Sequence, residues 1–237
     1  MHIHLITDYL SILVGMQLYF YLNKNKTAVV SADNKIWYVL GALVGALIGS
    51  RLLAALEDPY LFLHPPTWLY YYANKTVIGG VAGGIIGIEI AKKFLKIRTN
   101  TGDMVVVPLM VAIIIGRIGC QLTGVIDGTI GAPCDYLWCF KQGDEFARHP
   151  LPLYEIIELL ILLPFVYHFI KNKRFQDGFI FRLFIIIYFG MRFFFEYLKD
   201  IHPIFLSLSA IQIVCFFLVF YYISDSIRNG LYKRTRL

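Results

Sequence analysis

Apolar residues in this chain come in long blocks separated by short polar connections. They do not alternate as in strands, nor recur every third or fourth position as in a surface helix. Seven blocks run near 5–22, 36–56, 77–95, 104–122, 151–170, 179–198 and 204–223. Each is close to the roughly 20 residues that an α-helix needs to cross a bilayer. The pattern predicts an all-α integral membrane protein with seven transmembrane helices, a single polytopic domain over residues 1–237.

Lysine and arginine sort by side. The first connection holds Lys24, Lys26 and Lys35, and the third holds Lys92, Lys93, Lys96 and Arg98. The fifth holds Lys171, Lys173 and Arg174, and the C-terminal tail holds Arg228, Lys233, Arg234 and Arg236. The opposite side carries only Lys75, Lys141, Arg148 and Lys199. Basic loops stay cytoplasmic, so the N-terminus is expected outside and the C-terminus inside. Trp68, Tyr70, Tyr71 and Tyr72, and later Tyr221 and Tyr222, are placed as interfacial aromatics. The segment from Met1 to Asp8 lacks a basic n-region, so the first block is expected to remain as a span.

Composition agrees: 58% of the residues are hydrophobic, 16% are charged, and mean hydropathy is +0.63. That excludes collagen, coiled coil, a disordered tail and a disulfide-stapled secreted domain. The net charge of +6 belongs to cytoplasmic loops and implies no nucleic-acid partner. There is no P-loop, dinucleotide fingerprint or paired-histidine motif, so no cofactor and no metal are expected. Cys120 and Cys215 lie in apolar runs and read as small hydrophobes. Cys134 and Cys139 share a polar loop, where a disulfide is favoured over a zinc site because His149 is the one further ligand nearby.

Four arginines fall inside the apolar blocks: Arg51, Arg117, Arg182 and Arg192. Intramembrane arginine costs at least about 2.5 kcal/mol on insertion scales, so each needs a reason. Arg182 is near a cytoplasmic span end and is expected to snorkel to the head groups. Arg51 has Glu57 not far along and reads as a structural pair. Arg117 interrupts a long apolar run, and Arg192 has Tyr188 and Glu196 one turn away on either side, on one helix face. Both guanidiniums are expected in the outer half of the bundle. Two planar, permanently charged forks facing one cavity suit an anionic phosphodiester. A ligand-free Arg–Glu pair is the other reading.

Gly41, Gly45 and Gly49 recur every fourth position in the second block, and Gly79, Gly80, Gly83, Gly84 and Gly87 fill the third. Such faces let helices approach closely, or leave a cavity for lipid. His149 lies just before Pro150 at the start of the fifth block. It reads either as a general base near neutral pH or as an interface hydrogen-bonding residue.

Four segments, in order, resemble the bacterial prolipoprotein diacylglyceryl transferases. They are GRIGCQLTGVIDGTIG (116–131), RHPLPLYE (148–155), YFGMRFFFEYLKD (188–200) and LSLSAIQI (206–213), with a looser match in NKTVIGGVAGG (74–84). The resemblance implies an enzyme of the bacterial cytoplasmic (inner) membrane acting in lipoprotein biosynthesis. It would transfer the diacylglyceryl group of phosphatidylglycerol to the lipobox cysteine of a preprolipoprotein. By position it implies roles for Arg117, Gly128, His149, Tyr188, Arg192 and Glu196. Arg117 and Arg192 would bind phosphate, Tyr188 and Glu196 would orient Arg192, and His149 would serve as base.

The chain also departs from the family. Ile78-Gly79-Gly80 stands where the family has HGG, Cys120 replaces the asparagine after GRIG, and Val125 replaces a glutamate. Asp127 is a nearby acid, and Lys199 occupies the place of a second late arginine. A different acceptor, or a non-catalytic lipid- or anion-binding transporter or sensor, is the alternative. No inverted repeat of the kind many transporters carry is visible.

Overall fold

The structure, a computed structural model, describes residues 2–24, 32–64, 74–97, 100–172, 175–199 and 207–229. Lys26, Arg98, Lys173, Arg174, Lys233, Arg234 and Arg236 lie outside the described residues, as do Trp68, Tyr70, Tyr71 and Tyr72. The side chains of Lys35 and Asp127 do too.

The described chain is mostly helical, with one short hairpin. Its helices are α1 (His2–Asn23), α2 (Ala32–Glu57), α3 (Pro59–Leu63), α4 (Val77–Phe94), α5 (Val106–Thr123), α6 (Leu151–Asn172), α7 (Phe179–Glu196) and α8 (Ala210–Asn229). Strands β1 (Phe140–Lys141) and β2 (Ala147–Arg148) pair antiparallel between α5 and α6. Five helices are long and apolar enough to cross a membrane: α1, α2, α5, α6 and α8. The other two expected spans are helices of 18 residues, but each carries three charged side chains. These are Glu89, Lys92 and Lys93 in α4, and Arg182, Arg192 and Glu196 in α7. Large apolar side chains face outward, among them Ile6, Tyr9, Leu47, Phe165 and Phe217. That suits hydrocarbon and not water.

Six of the seven blocks match a helix within a few residues. The last does not: α8 starts at Ala210, later than the expected 204, and residues 201–206 are outside the described set. The start is set by a capping box. The Ser209 hydroxyl accepts from the Gln212 N–H at 3.2 Å, and the Gln212 side chain accepts from the Ser209 N–H at 2.9 Å. This reciprocal pair satisfies two amides that a helix start leaves open.

The chain forms two compact units. One comprises residues 26–99 and 201–220. Within it α2 and α4 run antiparallel, Gly41 against Gly87, Gly45 against Gly83 and Gly49 against Gly79. A Cβ on Gly41 would lie 2.7 Å from the Gly87 carbonyl oxygen, and Gly45 and Gly83 are closer still. These glycines are therefore spent on helix–helix contact and leave no lipid cavity along this seam. Ile78 is buried in the same unit. Arg51 donates to the Asn74 carbonyl, and Glu57 accepts from the Ile211 N–H at the start of α8.

The other unit comprises residues 1–25, 100–200 and 221–237. Helix α7 is pinned at its start by Asp103, whose carboxylate accepts from the Gly178 and Phe181 N–H groups at 2.7 and 2.8 Å. Burial raises the Asp103 carboxyl above its usual range, against the lowering effect of these two donors. Arg182 does not snorkel: it is 5% exposed and pairs with Asp225 at 3.0 Å. A partner one helix away offsets the charge where it lies, so the side chain has no need to reach the head groups.

Candidate active site

Three helix ends of the second unit meet around one carboxylate. Arg117 lies two turns before the end of α5, Glu155 in the first turns of α6, and Tyr188, Arg192 and Glu196 in the second half of α7. The segment between α5 and α6 ties these ends together. Gly131 N–H donates to the His149 carbonyl, and Ala132 N–H to that of Leu198, just beyond α7.

Glu155 is the hub. Its Oε2 accepts from Arg117 Nε at 2.8 Å and from the Tyr188 hydroxyl at 3.1 Å. Its Oε1 lies 3.5 Å from Arg192 Nε. Arg192 Nη2 then reaches Glu196 Oε2 at 2.8 Å, and Lys199 Nζ lies 3.6 Å from Glu196 Oε1. Arg117, Arg192, Glu155 and Glu196 are all at most 4% exposed. Charges so far from water persist only when paired. Arg192 keeps a spare donor, because Nη1 has no hydrogen-bond partner among the described residues.

Helix spacing accounts for this. Tyr188, Arg192 and Glu196 stand four apart on one face of α7, as the sequence predicts. Their roles differ from expectation in one respect. The Tyr188 hydroxyl donates to Glu155, while Glu196 pairs with Arg192 directly. Glu155 is not among the site residues expected from the sequence, although it ends the RHPLPLYE segment. An acid four residues into a membrane helix was the available signal. Glu158, one turn on, is also buried, and neither of its oxygens has a hydrogen-bond partner among the described residues.

Gly128 and His149 sit apart from this cluster. Gly128 closes a 3-10 turn (Gly124–Asp127) in the left-handed conformation, φ +69°, where a side chain is disfavoured. His149 Nδ1 lies 3.1 Å from the Tyr154 hydroxyl and 3.9 Å from Cys139 Sγ. Cys134 and Cys139 form a disulfide. The cluster of Cys134, Cys139 and His149 therefore offers a metal no thiolate, and a lone imidazole is no site. Cys120 is no inert filler: its sulfur lies 3.8 Å from Arg117 Nη1 and 3.6 Å from His4 Nε2.

Comparison with known proteins gives the family. The family model described as prolipoprotein diacylglyceryl transferase matches residues 2–224. A phosphatidylglycerol–prolipoprotein diacylglyceryl transferase of Chlorobaculum tepidum is 28% identical over 203 residues, 79% of this chain and 70% of the relative. That of Dehalococcoides mccartyi is 26% identical over 210 residues, covering 85% and 79% of the two chains. That of Tolumonas auensis is 31% identical over 186 residues, covering 70% and 66%. With buried arginines and acids from three of the resembling segments gathered at one place, and a family match over nearly its whole length, the chain belongs to the prolipoprotein diacylglyceryl transferase family.

Proposed function

We propose that this protein transfers the diacylglyceryl group of phosphatidylglycerol to the lipobox cysteine of preprolipoproteins, in the bacterial cytoplasmic membrane. The relatives carry that activity in their names. The observation that carries the reading is the pair of buried guanidiniums, Arg117 and Arg192, sharing Glu155 with a donor of Arg192 to spare. In this reading the chain is one membrane domain of seven spans, α4 and α7 included, with the N-terminus outside and the C-terminus cytoplasmic. The Cys134–Cys139 disulfide then belongs to an oxidising, extracytoplasmic loop.

The acceptor sulfur forms a bond to the terminal glyceryl carbon of the lipid, and the carbon–oxygen bond to phosphate breaks. Glycerol-1-phosphate departs with the electron pair. Negative charge grows on the phosphate oxygens during this step, and preorganised donors in a dry site stabilise it far better than water does. Arg117 and Arg192 supply those donors. Glu155, Tyr188 and Glu196 hold them in place, and keep the site near neutral before lipid enters. Gly128 shapes the turn that follows α5. His149 is the imidazole that the resemblance offers for proton transfer, with Nδ1 engaged by Tyr154.

Production of this protein in a strain depleted of its own transferase, with mass spectrometry of a model lipoprotein, tests the proposal. A lipobox cysteine carrying the diacylglyceryl mass is expected. An unmodified cysteine in cells where the protein is inserted refutes the activity.

A further inference from the structure

The transfer proposed above leaves the polar residues of α1 without a task. His4 and Asp8 stand one turn apart on the face that α1 turns toward α5, along with Thr7 and Gly15. The two helices run antiparallel and nearly touch. A Cβ on Gly119 would overlap the Thr7 side chain, and one on Gly15 would lie 3.1 Å from Ala112 Cβ. Asn23 at the far end of α1 donates to the Met104 carbonyl just before α5. This close seam brings the His4 ring onto α5 at Cys120, whose sulfur also meets Arg117.

His4 Nδ1 lies 3.0 Å from Asp8 Oδ2. An ionised carboxylate only accepts, so Nδ1 donates to it, and in the neutral ring Nε2 presents its lone pair. That lone pair is directed at a sulfur: Nε2 is 3.6 Å from Cys120 Sγ, and the sulfur is 3.8 Å from Arg117 Nη1. The result is an Asp–His–thiol array abutting a phosphate-binding arginine.

Cys120 is not a covalent carrier in this array. Attack by its sulfur on the glyceryl carbon would give a thioether, which has no leaving group for a second transfer, and the enzyme would stop. What remains useful is an oriented imidazole whose basic nitrogen stands in a niche that already accommodates sulfur next to Arg117. Position 78, where the resemblance leads one to expect a histidine, is isoleucine in this chain. His149 is engaged by Tyr154 beside the disulfide, and touches neither Arg117, Arg192, Glu155 nor Glu196 among the described residues.

We infer that His4, held by Asp8, is the base that takes the proton of the acceptor cysteine thiol; this rests on the transfer proposed above. The His4 Nε2 atom accepts the S–H proton, and the thiolate attacks the glyceryl carbon. The carbon–oxygen bond breaks toward phosphate, which Arg117 and Arg192 receive. The proton then passes from His4 to the departing phosphate, which resets the imidazole. The charged and titratable groups around His4 include Asp8 from α1 and Cys120 from α5, whose sulfur in turn meets Arg117, with Glu155 behind Arg117.

The test uses the purified full chain in nanodiscs containing phosphatidylglycerol, with a synthetic lipobox peptide, and follows thioether product against pH. The wild-type rate should rise with pH as the base is freed of its proton and then level off. H4Q should lower kcat at neutral pH by about 10²–10⁴, with KM for the lipid kept. Its remaining rate should keep climbing toward the acceptor thiol's own pKa of about 8.5. D8N should move the same way by about tenfold, and is the check if H4Q inserts poorly. H4Q within about threefold of wild type overturns the inference. So does lost activity with the wild-type pH profile retained, or a converted profile in H149Q and not in H4Q. A wild type that binds lipid and peptide yet transfers nothing refutes the underlying activity itself.

Discussion

Replacing Glu155 by glutamine removes one negative charge from the centre of the cluster with almost no change in shape. Arg117 would then have no carboxylate, while Arg192 would keep Glu196. Arg117 and Glu155 are 4% and 2% exposed, with Nε and Oε2 2.8 Å apart, so solvent screening scarcely reduces their interaction. At an effective dielectric of about 20, two unit charges roughly 4 Å apart interact by about 4 kcal/mol. Glutamine keeps a hydrogen bond to the charged guanidinium worth about 2 kcal/mol, leaving a net loss of about 2 kcal/mol, short of the roughly 3–5 kcal/mol for a fully orphaned buried charge. Thermal unfolding of the purified protein in matched detergent should show Glu155→Gln melting several degrees below wild type. The double variant Arg117→Met/Glu155→Leu removes both charges and should recover most of the loss, because apolar replacement of a buried pair is often neutral. A Glu155→Gln protein within about 0.5 kcal/mol of wild type would sink the argument. A double variant no more stable than the single one would do the same.

Three further outcomes follow from the geometry. Arg192→Lys should cost about 10² in transfer rate, since a point charge cannot reach Glu155 and Glu196 while offering a further donor to phosphate; single-turnover product formation reads this. Gly45→Ala should destabilise by about 1–3 kcal/mol, because its Cβ falls on the Gly83 carbonyl oxygen, which cannot move aside. Gly80→Ala is its control and should leave Tm unchanged, the nearest atom to a Cβ there being Ser50 Cβ at 3.7 Å. Replacing Cys134 and Cys139 by serine opens a short loop and should cost roughly 2 kcal/mol by the chain-entropy estimate. Differential scanning measurements with and without reductant should converge for that variant and diverge for wild type.

Much was legible in the sequence because the bilayer imposes one-dimensional rules. Block length and the four-residue spacing of Tyr188, Arg192 and Glu196 are properties of single segments. A chain that must satisfy every backbone group within itself has few ways to express them. The capping box of Ser209 and Gln212 was equally local, and reading it would have placed the start of α8.

Partner choice was not legible, since it depends on which faces of distant segments meet. Nothing local to Glu155 says that Arg117, 38 residues earlier in the chain, and Tyr188, 33 later, converge on it. Nothing local to Arg182 names Asp225, or separates a buried pair from a snorkelling side chain. Likewise the glycines of α2 and α4 announce close approach, but only their mutual register rules out a cavity along that seam. His4 and Asp8 read as ordinary residues at the head of a span. The bare backbone of Gly119 is what lets α1 sit against α5 and sets the imidazole at Cys120. Sequence by itself determined the helical membrane character, the family and the presence of charged residues within apolar blocks. The tertiary structure decided how their charges are balanced, because pairing in a low-dielectric interior acts over a few ångströms and is governed by packing.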